Sequence, residues 1–168
     1  MQIYRAYKTE VELTEEQCKL AERHAGAARF VWNWALAKKK EAIDSKSKVP
    51  NYAALSKQLI KLKSTELSWL YEISSTTPTC TLISLDRAFK DFFRRCKLKS
   101  GPVGFPKFKA KKKHFPHFIL RNNIYVGDNW IIVPKLGKVA LKEFGYLPID
   151  GVKILSVAFS KRAGKLAT

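Results

Sequence analysis

One switch in periodicity constrains this chain more than anything else in it. Across residues 82–99, Leu82, Leu85, Phe89 and Phe92 recur at three- and four-residue steps, the mark of an amphipathic helix. Arg87, Lys90, Arg94 and Lys97 fall on a different face, so one side can pack while the other meets solvent or a polyanion. Ser100, Gly101 and Pro102 cannot continue a helix. The next residues, Gly104-Phe105-Pro106-Lys107-Phe108-Lys109, alternate aromatic with lysine and run into Lys111, Lys112 and Lys113. Beyond them the pattern is that of strands. The chain must therefore place a helical layer before this point and a β layer after it.

The charge of the switch region narrows its purpose. Between residues 87 and 113 there are eleven basic side chains and a single acid, Asp91. A lysine run alone reads as a solvated surface; Phe105 and Phe108 set among the lysines point to nucleic acid, since aromatics can stack on unpaired bases. The whole chain carries a formal net charge of +18 over 168 residues. Self-repulsion of that size calls for compensation, and a phosphate backbone is the commonest compensating partner. A membrane surface is the competing polyanion, but no apolar run of about 18 residues and no lipidation signal supports it. With 46% hydrophobic residues the chain is no disordered basic tail.

The N-terminal half reads as follows. Residues 3–13 mix Tyr, Val and Ile with charges and predict a strand. Thr14 followed by Gln17 is a capping-box signature that opens a helix. Leu20, His24, Ala27, Val31 and Trp34 form its apolar stripe, and His24 is expected as a packed, hydrogen-bonded core histidine. Lys38, Lys39 and Lys40 suit the last turns of that helix, where cations complement its dipole. A second helix is expected from about Asn51, with Leu55, Leu59 and Leu62 inward and Tyr52 near its start. Ser74 to Thr77 offer caps before Pro78, which is tolerated in a first helical turn. The apolar face of the basic helix should dock on the helices bearing Trp34 and Leu59.

After residue 113 come short β-rich runs at 118–120, 124–126, 130–133, 138–141 and 152–159. Gly127-Asp128-Asn129 reads as a hairpin turn. Arg162-Ala163-Gly164 turns the last strand back, and a return of only 165–168 predicts a hairpin that stops partway. The expected fold class is α+β: a small antiparallel β-barrel, formed by residues 1–13 and 114–168, interrupted by a helical insertion at 14–113.

Catalytic chemistry is hard to place. A two-metal phosphodiesterase needs several converging carboxylates, and the acids here are few and scattered. No phosphate-binding glycine loop, nucleophile elbow or Cys/His pair occurs. No metal site and no cofactor are expected. Cys18, Cys80 and Cys96 lack metal spacing and read as reduced cysteines of a cytosolic protein; no secretory h-region opens the chain.

Several blocks together carry a family resemblance. They are Tyr4-Arg5-Ala6-Tyr7-Lys8, Leu13-Thr14-Glu15-Glu16-Gln17, Ala28-Arg29-Phe30-Val31-Trp32-Asn33-Trp34-Ala35-Leu36 and Trp69-Leu70. Leu85-Asp86-Arg87-Ala88-Phe89-Lys90-Asp91-Phe92-Phe93, residues 104–109 and Val133-Pro134-Lys135-Leu136-Gly137-Lys138-Val139 complete them. In this order the chain resembles the N-terminal half of the TnpB (OrfB) proteins of bacterial and archaeal insertion sequences, RNA-guided DNA endonucleases related to the type V CRISPR effectors. The resemblance implies a wedge-like barrel with a helical recognition insertion that holds guide RNA and reads a short motif flanking double-stranded target DNA. The family's RuvC-like nuclease half, with its acidic metal-binding triad and zinc ribbon, would follow in sequence and is missing here.

The nucleic-acid contacts expected are Arg87, Lys90, Arg94, Arg95, Lys97, Phe105, Lys107, Phe108, Lys109, Lys111, Lys112 and Lys113. By resemblance, Tyr52, Thr79, Asn122 and Asn123 fall where the flanking DNA would be read. Thr79 stands where relatives can carry a longer amide. The expected function is a non-catalytic nucleic-acid-binding part of an RNA-guided nuclease, cytoplasmic and nucleoid-associated in a prokaryote. Two other readings stand beside it: a subunit complementing a separate nuclease half, and a stand-alone DNA-binding regulator.

Overall fold

The computed structural model describes residues 1–99, 101–112, 117–162 and 165–167, the side chains of 162 and 165–167 excepted. Its elements are β1 (Val11–Glu12), α1 (Glu15–Asp44), α2 (Tyr52–Lys63), a 3₁₀ turn (Ser68–Glu72), α3 (Thr76–Leu98), β2 (His117–Arg121), β3 (Tyr125–Val126), β4 (Trp130–Val133), β5 (Gly137–Leu141), β6 (Ser156–Arg162) and β7 (Lys165–Ala167).

Helix α1 starts as its sequence dictates. The Gln17 N–H donates to Thr14 Oγ1 (3.2 Å) and Gln17 Oε1 accepts from the Thr14 N–H (3.1 Å), closing the capping box. The Gln17 Nε2 also donates to the carbonyls of Leu136 (3.0 Å) and Lys138 (2.8 Å), pinning the helix start to the β4–β5 turn. At 30 residues, α1 is about 45 Å long, and it serves two cores. Its Ala21, Ala25 and Ala28 pack among Val11, Phe118, Leu120, Ile131, Val139, Leu141 and Phe159. Further on, Ala27, Val31, Ala35 and Leu36 pack among Leu55, Leu59, Leu70, Leu82, Leu85 and Phe89. Small residues in the first half let the sheets approach the helix closely.

All strand pairs are antiparallel. One sheet runs β1-β5-β4-β3 and the other β2-β6-β7. The expected small antiparallel β-barrel is thus corrected to two small sheets sharing one core. The break lies between β2 and β3, where Asn122 (φ 64) and Asn123 (φ 50) are both left-handed and carry the chain from one sheet to the other. Asparagine tolerates that conformation better than most residues. Phe118 and Phe159, partners in the β2–β6 ladder, stack at 5.0 Å side by side on the core face of their sheet.

Two strand expectations also contract. The expected strand at 3–13 is reduced to Val11–Glu12, because its partner β5 ends at Leu141; the Lys142 N–H still donates to the Glu10 carbonyl (3.0 Å), and the chain then bends away. The expected strand at 152–159 becomes Ser156–Arg162, since β2 offers partners only from Arg121, opposite Ser156. The turn residues Ala163 and Gly164 lie outside the described residues. At the expected hairpin, the Gly127 N–H donates to the Trp130 carbonyl (2.9 Å). A Cβ on Gly127 would lie 2.2 Å from the Trp130 ring, so the close approach requires glycine.

Candidate nucleic-acid interface

Helix α3 is held on three sides. Leu82, Leu85 and Phe89 are buried against α1 and α2. Its start is tied to β2: the Thr77 hydroxyl donates to the Ile119 carbonyl (3.2 Å), and the Arg121 N–H donates to Thr76 Oγ1 (3.2 Å). At 100° per residue, Arg87, Lys90, Arg94 and Lys97 occupy an outward stripe about 80° wide, and all four are exposed. Asp91 pairs with Arg94 (3.3 Å), a solvent-exposed bridge that leaves the stripe strongly basic. Arg95 projects about 120° away from the stripe's centre, on the flank of Phe92. Arg95 is exposed as well, to one side of the stripe.

The aromatic-lysine segment has a role that its composition hides. Phe105 makes edge-to-face contacts with Phe89 (5.4 Å) and Phe92 (5.2 Å), closing the apolar face of α3. It clasps the helix while staying 37% exposed. The Trp32 Nε1–H donates to the Lys107 carbonyl (2.9 Å). Asn33 holds Lys109 by both main-chain groups, accepting its N–H (2.8 Å) and donating to its carbonyl (3.0 Å). One amide side chain thus mimics a neighbouring strand. The Lys109 ammonium rests 4.0 Å from the Trp32 ring centroid, and burial pulls its pKa below the usual lysine range. Lys109 is thus anchored on α1 by its main chain and its ammonium.

Phe108 is more than half exposed but sits over a shallow depression with Ala37, Lys40, Glu41, Asp44 and Ser45. Two carboxylates beside its ring disfavour an approaching phosphate. Lys107, Lys111 and Lys112 are exposed. Lys113 lies outside the described residues.

The four residues assigned to the flanking motif fall along one side of α3. Thr79 is exposed one turn after Thr76, whose hydroxyl receives the Arg121 N–H, so the Asn122-Asn123 turn stands beside it. Tyr52, the first residue of α2, donates its N–H to Asp86 Oδ2 (2.9 Å). Asp86 is seven residues from Thr79, about 10 Å along the same face of α3. Tyr52, Thr79, Asn122 and Asn123 are all exposed.

Asp86 also anchors a group that composition could not locate. Lys39 is buried in the last turns of α1, and its Nζ donates to Asp86 Oδ1 (2.6 Å) and to the Pro50 carbonyl (2.6 Å). One ion pair therefore joins α1, the α2 start and α3. Lys39 was expected in the last turns of the helix and lies there, but it is buried and paired rather than solvated. Its signal is only visible in retrospect, as a cation on the same stripe as Ala35 and Val31. His24 is buried as expected. Its Nδ1–H donates to the Leu20 carbonyl (2.7 Å) and its Nε2 accepts the Ser74 N–H (3.0 Å), a neutral tautomer with both nitrogens engaged. Desolvation, with a smaller push from Lys135, holds its pKa below the ordinary value.

Among the described residues, no group of three or more His, Cys, Asp or Glu side chains is placed to hold a metal ion. No helix among them is long and apolar enough to cross a membrane.

Residues 1–48 match the OrfB/IS605 helix-turn-helix domain family. In the structure this span holds β1 and one uninterrupted helix, so the match does not rest on a pair of helices. A protein of Escherichia coli K12 named as an RNA-guided DNA endonuclease, InsQ, is 31% identical over 156 residues, 90% of this chain and 36% of the relative. Another of Streptomyces pristinaespiralis, named as an RNA-guided DNA endonuclease, is 33% identical over 114 residues, 67% of this chain and 27% of the relative. The chain thus spans about a third of the length of these relatives, and it resembles the N-terminal part of TnpB/OrfB-type proteins in sequence.

Proposed function

We propose, for a chain that sides in sequence with the N-terminal part of the TnpB/OrfB-type proteins, that it is the nucleic-acid-binding portion of a transposon-associated RNA-guided DNA endonuclease. It holds guide RNA on the outward stripe of α3 and reads target-flanking DNA with the Tyr52, Thr79, Asn122 and Asn123 side of the same helix. The observation that carries this reading is the stripe itself. Arg87, Lys90, Arg94 and Lys97 stand on a helix whose other faces are fixed by packing, by β2 and by the Phe105 clasp. Preorganised cations lose little on binding, and phosphate contacts set register while polar side chains at the edge read bases. The catalytic step belongs to acidic residues outside these 168, because the carboxylates described here are scattered or committed, as Asp86 is to Lys39.

The test is RNA binding as a function of salt. Each neutralised phosphate contributes a slope of about −0.7 for single strands and about −0.9 for duplex. Arg87→Gln combined with Lys90→Gln and Arg94→Gln should reduce the slope by about two to three. Binding that stays flat between low and moderate salt, or a slope untouched by this triple variant, overturns the reading. Specific DNA binding without any RNA would favour a stand-alone regulator instead.

A further inference from the structure

A second cationic site lies at the far end of α2. Lys63, in the last turn of α2, places its ammonium 4.3 Å from the Tyr71 ring centroid on the 3₁₀ turn. Lys135, in the β4–β5 turn, reaches the Tyr71 carbonyl with its Nζ at 3.4 Å. Two ammonium groups from distant parts of the chain thus converge on one tyrosine. Neither has a carboxylate partner among the described residues; the adjacent Glu72 is taken by Arg23 (2.8 Å). Burial, with a further push from the Lys135 charge, lowers the Lys63 pKa.

Lys135 is also held in place at some cost. Its φ of 68 is left-handed, a conformation unfavourable for a side chain of this kind by roughly 1 kcal/mol. The turn is locked by the Leu136 N–H to the Pro134 carbonyl (2.9 Å) and by Gln17 Nε2 on the Leu136 carbonyl. Strain, like-charge repulsion and an exposed tyrosine at one point make sense if an anion completes the site. Tyr71 is 57% exposed, and beside it Trp69 is propped edge-on against Phe30 at 5.4 Å.

We infer that Lys63 and Lys135 clamp a backbone phosphate of single-stranded nucleic acid, with Tyr71 against the neighbouring nucleotide. This rests on the nucleic-acid-binding reading above and adds a second contact surface to it. The 12-residue α2 separates Tyr52 from Lys63 by about 16 Å, so the clamp engages a stretch of strand other than the one on the α3 stripe. A phosphate there relieves the repulsion between the two ammonium groups, and an aromatic ring accepts any base without sequence preference.

The experiment compares wild type, Lys63→Gln/Lys135→Gln and Lys63→Arg/Lys135→Arg, each binding a single-stranded RNA and the matching DNA oligonucleotide across a salt series. Ultraviolet cross-linking is mapped to Tyr71 in parallel, and far-ultraviolet circular dichroism checks folding. The glutamine pair should lower the salt slope by about 0.7 to 1.4 and abolish the Tyr71 cross-link, while the arginine pair retains both. Cross-linking with RNA alone identifies RNA as the occupant; equal cross-linking with both strands assigns the clamp to either. An unchanged slope and cross-link in the glutamine pair, with the α3 triple variant still defective, overturns the clamp and leaves the α3 reading standing. Wild type that binds neither strand overturns both.

Discussion

Removing the Asp86 carboxylate leaves the Lys39 ammonium buried with the Pro50 carbonyl and the Phe89 ring but no counter-charge, and takes the acceptor from the Tyr52 N–H at the start of α2. Breaking a buried pair from one side is far costlier than losing a surface bridge. Asp86→Ala should destabilise the fold by about 3–5 kcal/mol in urea melts, and Lys39→Met with Asp86→Leu should recover much of that loss. A loss below about 1 kcal/mol would mean that water reaches Lys39. His24 makes stability depend on pH. Its folded pKa lies below the unfolded value of 6.5, so the unfolded chain binds the proton first. His24 therefore contributes fully above pH 6.5, and that contribution is lost as pH falls through the window between the two values. The slope there is at most about 1.4 kcal/mol per pH unit. Urea midpoints at pH 7.5 and 5.5 should differ in wild type and converge in His24→Gln; equal midpoints in wild type would refute it.

The segment from 104 to 110 is an element without regular structure, fixed by Asn33, Trp32 and the Phe105 clasp. Asn33→Ala removes both bonds to Lys109. At about 1 kcal/mol each, amide protection at Lys109 should fall roughly thirtyfold while the helical content stays constant. Unaltered exchange would mean that the Phe105 contacts alone hold the segment. This element also marks the limit of what sequence could tell. Periodicity located all three helices, and the Thr14–Gln17 capping box and the Asn51 start were legible because they depend on local spacing. The anchoring of Phe105 and Lys109 was not legible, because alternating aromatics and lysines look alike whether or not they also pack on a helix. Only the tertiary partners Phe89, Phe92, Trp32 and Asn33 decide between them. The open two-sheet arrangement escaped notice for a similar reason: two adjacent asparagines can take an extended or a left-handed backbone, and the choice was set by where β2 and β3 find partners.

At the scale of the whole molecule the net charge of +18 works against compaction. Arg94 and Arg23 have surface carboxylate partners, but Arg87, Lys63 and Lys135 have no ion-pair partner among the described residues. On the proposed function, a polyanion should bind these ordered cations in the folded state better than it binds the unfolded chain. A single-stranded oligonucleotide at 100 times its dissociation constant should stabilise the protein by about 2.7 kcal/mol, read as a rise in Tm that 1 M salt removes. A neutral polymer should do nothing comparable. No rise with the oligonucleotide would mean that folded and unfolded chains bind it alike.

Helix α1 belongs to both cores, with Ala21, Ala25 and Ala28 against the strands and Val31, Ala35 and Leu36 against the other helices. A boundary drawn at residue 14 from the order of the chain would therefore cut through the sheets' own core. A chimera that borrows the helical layer from a relative must either keep the recipient's residues up to about 28 or import strands fitted to the incoming alanines. The unit that can be exchanged between relatives is set by contacts, and it is larger on one side than the residue order suggests.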